Sequence, residues 1–151
     1  MTAAPEEPRD VWSLAEDDRA LLRQLIAVLR RLLPLAKSTA GLIALGEALE
    51  AIEKVRDGAG IEQAAVLSVG AQDGDDAFNE GWFVRLRIAS DGIVLDKLST
   101  TYTAEIGLDE VTTSYAVLKP CGGFDGAGVA AWIAEINGMR RWDIAEIKAS
   151  P

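Results

Sequence analysis

The residues whose types and spacing best suit chemistry lie in the stretch VLKPCGGFDGAG, residues 117 to 128, which holds the only cysteine of the chain. Within it, Gly126-Ala127-Gly128-Val129-Ala130-Ala131 satisfies G-x-G-x-x-A at the start of a helical pattern, with Glu146 twenty residues beyond the first glycine. On spacing alone this is a dinucleotide fingerprint, in which glycines let the backbone approach a pyrophosphate. Two features oppose it. Seven residues, 119 to 125, separate the preceding strand pattern from Gly126, and the strands before it read as a meander rather than a βαβ unit. A plain anion site is less demanding, because the first amides of a helix point at whatever lies before it. Asp125 competes for those same amides as a cap. Cys121 has Lys119 nearby but no histidine to activate its thiol. The stretch therefore defines a candidate ligand or anion loop of Cys121, Gly122, Gly123, Asp125, Gly126 and Gly128, with no cofactor implied.

A second group is rich in hydroxyls. Ser99-Thr100-Thr101-Tyr102-Thr103 and Thr112-Thr113-Ser114-Tyr115 read as antiparallel neighbours, and a turn centred on Gly107 would set Tyr102 opposite Thr112 and Thr101 opposite Thr113. With Arg85 and Arg87 on an adjoining strand, the candidate sheet-face binding set is Arg85, Arg87, Thr101, Tyr102, Thr113 and Tyr115. A solvated face is the plainer account, since threonine suits a half-wet strand. The acidic turn QDGDDAFN, residues 72 to 79, suggests a hard cation, yet an EF-hand starting at Asp73 wants glycine and glutamate where Phe78 and Val84 stand. No metal site is assigned.

Composition closes more classes than it opens. With no histidine among 151 residues, there is no Ser-His-Asp triad, no Cys-His pair and no imidazole zinc site. The net charge of -9 disfavours nucleic acid and anionic membrane and favours a basic protein partner. From Arg19 to Lys37 the chain has five basic and no acidic residues, and from Glu62 to Glu80 five acidic and no basic ones. No apolar run nears the roughly 20 residues that span a bilayer. A cytoplasmic location is the default expectation, and residues 1 to 11 read as a flexible tail before one domain, 12 to 151.

The elements that must position these groups follow from periodicity. Ser13 to Glu16 fits a capping box opening an amphipathic helix that ends at Pro34, its apolar side formed by Leu22, Leu25, Ile26, Leu29 and neighbours. Ser38 or Thr39 caps a second helix, stopped by Asp57-Gly58. The period then changes from 3.6 to 2. Ala64 to Ala71, Trp82 to Ile88, Ile93 to Thr103 and Val111 to Leu118 read as strands, with Asp91-Gly92 at the centre of one hairpin. Leu95 and Leu98 would fall on opposite faces of a regular strand, which predicts a bulge. A helix over Ala127 to Asn137 and a short last strand within Arg141 to Lys148 complete an α-α-β-β-β-β-α-β order. Helices cover one face of an antiparallel sheet, an α+β fold.

The expected function is that of a non-enzymatic protein-binding module, inhibitor- or immunity-like or chaperone-like, with homodimerisation through a sheet edge or an apolar patch as a further expectation. The alternative is a small-molecule-binding domain holding its ligand between sheet and helices.

Overall fold

The computed structural model describes residues 12–36, 38–72, 81–120, 123–139 and 146–148. The expected tail, 1 to 11, lies outside them. Helix α1 (Glu16–Arg31) leads through a 3-10 turn (Leu33–Leu35) into α2 (Thr39–Arg56). Strands β1 (Ala65–Gln72), β2 (Gly81–Ala89), β3 (Gly92–Thr103) and β4 (Gly107–Leu118) follow, then α3 (Gly126–Asn137) and β5 (Glu146–Lys148). The strands form one antiparallel sheet in the order β4-β3-β2-β1-β5. The fold is α+β, with α2 and α3 packed on the sheet and α1 bridging them.

The first helix starts differently from its sequence signature. Ala15, not Ser13, is the N-cap, and no side chain caps it. The buried Trp12 donates its backbone N–H to Gly58 at 3.3 Å, which anchors the entering chain to the end of α2. Glu16, freed from capping, pairs with Arg23 at 2.8 Å. The acidic first turn and basic last turn of α1 still complement its dipole. In α2 the expectation holds: Ser38 Oγ accepts from Gly41 at 3.0 Å, and Gly58, at φ +87°, takes the left-handed stop.

The core lies between the helices and one sheet face. Leu22, Leu25 and Leu29 of α1, Leu45 and Ile52 of α2, and Trp132 of α3 meet Leu67, Leu86, Ile88, Ile93, Leu95 and Leu118 of the sheet, all essentially without solvent. On the sheet these residues stand in register: Leu67 opposite Leu86, Leu86 opposite Leu95, and Leu95 opposite Ala116. Period-2 alternation in β2 thus buries Val84, Leu86 and Ile88 on the helix side.

The bulge expected in β3 lies instead in its partner: the register slips between Leu95 and Asp96, where Tyr115 of β4 is the extra residue between Ala116 and Ser114, and β3 itself stays regular. Pairing is disturbed there, and the Asp96 carbonyl accepts instead from the Trp132 indole at 3.1 Å. The bulge therefore ties α3 to the middle of the sheet.

Candidate functional site

The glycine loop resolves into a packing device. Asp125 Oδ1 accepts from the Gly128 amide at 2.9 Å, so the opening of α3 is capped by its own carboxylate. A Cβ on Gly128 would stand 2.1 Å from the Tyr115 carbonyl oxygen and 2.9 Å from the Ala116 Cβ. Glycine is needed here so that α3 can lie against the bulge of β4. Before the cap, the Lys119 amide donates to the Gly123 carbonyl at 2.9 Å, closing a tight loop. Cys121 and Gly122 lie outside the described residues. An anion approaching these amides meets the Asp125 charge.

The register of the expected sheet-face set differs from the expected pairing. The β3–β4 turn is a three-residue loop, 104 to 106, closed by Thr103 opposite Gly107 rather than centred on Gly107. Gly107, at φ +78°, supplies the left-handed residue that ends such a loop, and Thr103 Oγ1 accepts from the Ile106 amide at 3.2 Å. Tyr102 is consequently opposite Leu108 and Thr101 opposite Asp109, while Thr112 faces Leu98 and Thr113 faces Lys97. The side chains of Thr101 and Tyr102 lie outside what is described. Arg85 and Arg87 point away from the helices, whereas Tyr115 reaches α3 on the other face.

What the sheet does assemble around the two arginines is a buried carboxylate. The β2–β3 loop is Ser90-Asp91, with Ala89 opposite Gly92, so the hairpin is centred one residue earlier than an Asp-Gly turn would put it. Gly92 begins β3 because a Cβ there would come within 2.3 Å of the Leu118 carbonyl oxygen. This shift sets Arg85 opposite Asp96. Arg85 grips both carboxylate oxygens, at 2.9 and 3.0 Å, and Arg87 Nη2 donates to Oδ2 at 2.7 Å. The Asp96 side chain is 2% exposed, that of Arg87 48%. Two guanidinium groups share one carboxylate, which leaves the cluster with a surplus positive charge and Arg87 with unused donors.

The register extends this pattern into rows across the open face. Ser68, Arg85, Asp96 and Ser114 form one row, and Val66, Arg87, Val94 and Val117 the next. No described helix packs on this face, and Val117 is 47% exposed.

On the helix side a second ionic group joins α3 to the sheet. Glu135 accepts from Lys97 Nζ at 2.9 Å and from the Tyr115 hydroxyl at 3.2 Å. Burial, and then the charge and hydrogen bond of Glu135, push the Tyr115 phenol above its ordinary pKa, with Lys97 opposing. A phenol so held remains a donor at neutral pH and makes a poor base. Arg85, on the open face, and Tyr115, on the helix side, lie on opposite faces of the sheet and do not line one site.

Among the described residues no three cysteine or carboxylate side chains converge in a way that could hold a metal ion, and no described helix is long and apolar enough to cross a membrane. The aspartates of the acidic turn lie outside the described residues. Compared with protein-family models, with curated proteins and with solved structures, the chain matches none.

Proposed function

We propose that the protein is a non-enzymatic protein-binding module that engages its partner along the outer edge of β4. One observation carries the reading: β4 runs twelve residues at the edge of the sheet with no described strand beyond it, and its flank exposes Val111 and Val117 at 55% and 47%. Such an edge offers unpaired N–H and C=O groups to an incoming strand, and proteins ordinarily shorten, charge or cover it. Here the turn before the strand adds Ile106, 76% exposed, and the acidic residues Glu105, Asp109 and Glu110 stand exposed beside it. These charges, within a chain of net charge -9, favour a basic partner, consistent with an inhibitor-like or chaperone-like role. A second copy of the chain is the other occupant the same edge accepts.

The test is affinity capture from cells by the wild-type chain, by Val111→Lys, and by Leu42→Lys, which alters an exposed apolar residue on α2. A partner retained by wild type and Leu42→Lys but lost by Val111→Lys supports the reading. Equal retention by all three, or a monomer that retains nothing, refutes it.

A further inference from the structure

Beyond the strand edge, the open face carries a second surface whose chemistry is specific. At the β2–β3 turn end of the sheet, a groove of about 360 Å³ is lined by the row Val66, Arg87, Val94 and Val117, with Asp91 and Lys119 at its rim. The volume is that of a small-molecule site rather than of an interstitial void. Its floor is set by register, because Val66 is opposite Arg87, Arg87 opposite Val94, and Val94 opposite Val117. Four side chains from four strands, three of them valines, thus lie in line over about three strand spacings, roughly 14 Å.

The cation in that row is only partly neutralised. Asp96 is already gripped through both oxygens by Arg85, and Arg87 adds only one contact to Oδ2. Among the described residues Arg87 donates through Nη2 alone, and its side chain is half in water. Asp91 offsets Lys119 at the rim, so Arg87 supplies the surplus charge. A guanidinium with free donors beside an aliphatic trough matches an anion that is planar, singly charged and attached to a hydrocarbon chain.

We infer that this groove binds an aliphatic monocarboxylate, with the carboxylate on Arg87 and the chain across Val66, Val94 and Val117. The site shares Val117 with the flank of β4 but extends from there across β3, β2 and β1, and it does not rest on the strand-addition reading. Shape and charge act together: the valines bury the chain, and Arg87 distinguishes an acid from its alcohol.

Decanoate and 1-decanol, each kept below its aggregation threshold, test this by calorimetric titration of the full chain. Decanoate is expected to bind more tightly than decanol, and Arg87→Gln to weaken decanoate about 10- to 100-fold, the range of a lost charge-assisted contact, while leaving decanol unchanged. Arg85 still compensates Asp96 in that variant. Val117→Asp, at an exposed position, is expected to abolish binding of both, and keeps the test decisive if Arg87→Gln does not fold. Equal affinity for acid and alcohol, or decanoate binding unaffected by either substitution, overturns the proposal. Binding of a short peptide ending in Leu-Val with a free carboxylate, where decanoate does not bind, also overturns it in favour of a polypeptide terminus.

Discussion

The two faces of the same four strands are built to different rules. Facing the helices, the row Leu67, Leu86, Leu95, Ala116 is apolar throughout and closed to water. One residue away in β1, β2 and β3, and two in β4 across the bulge, the row Ser68, Arg85, Asp96, Ser114 carries a nearly solvent-free carboxylate, and the row beyond it sets an arginine among valines. Burying a charge is expensive unless it is paired, and a well-packed apolar side chain would serve stability at least as well. The covered face is therefore where the fold is held. The open face keeps an ionic cluster that stability alone does not require, surrounded by apolar side chains left partly in water.

That contrast is open to attack by mutation. Trp132→Ala removes a fully buried ring and leaves the Asp96 carbonyl without its donor; a loss of about 3–5 kcal/mol in denaturant unfolding is expected. Asp96→Asn, on the other face, leaves two guanidinium groups without their shared charge; because Arg87 is half in water, the expected loss is about 1–3 kcal/mol. If Asp96→Asn proved as damaging as Trp132→Ala, the open face would be a second core and the division drawn here would fail. Val111→Lys, at the exposed edge of β4, should change stability by less than about 0.5 kcal/mol while abolishing partner binding.

The smallest expected effect concerns pH. The folded state raises the Tyr115 pKa through burial and through Glu135, so it favours the neutral phenol. That contribution is fully present below the unfolded pKa of about 10 and is lost as pH rises through the higher folded value. Thermal melts of wild type and Tyr115→Phe between about pH 9 and 11 should converge as the solution becomes alkaline. A gap that widened with pH would contradict this assignment.

Much of the fold was legible because periodicity is local: the two helices, the four strands and α3 follow from spacing, whereas the bulge lies at Tyr115 of β4 and leaves Leu95 and Leu98 on opposite faces of a regular β3. The candidate site was less so, and the reasons lie in single turns. Placing Asp91-Gly92 at the centre of its hairpin would set Arg85 opposite Leu98; the loop Ser90-Asp91 sets it opposite Asp96. Reading Gly107 as the middle of a turn rather than its left-handed last residue misaligned Tyr102 and Thr112 in the same way. A shift of one residue in a hairpin leaves the strands intact and changes every cross-strand neighbour. The signal for Asp96 was present, as an acidic residue directly after the apolar run Ile93-Val94-Leu95 and eleven positions from Arg85, but only the register gives it meaning. The spacing Gly126-x-Gly128 was equally visible, yet its cause is the Tyr115 carbonyl 2.1 Å from the missing Cβ, which no local pattern encodes.

Amide hydrogen exchange reports strand by strand on whether the outer edge of β4 binds a partner. With a captured partner added at saturating concentration, the alternate amides between Val111 and Ser114 that point away from β3 are predicted to gain protection while those on the outer faces of α1 and α2 stay unchanged. Protection confined to α1 and α2, with β4 exchanging as in the free chain, would contradict the account.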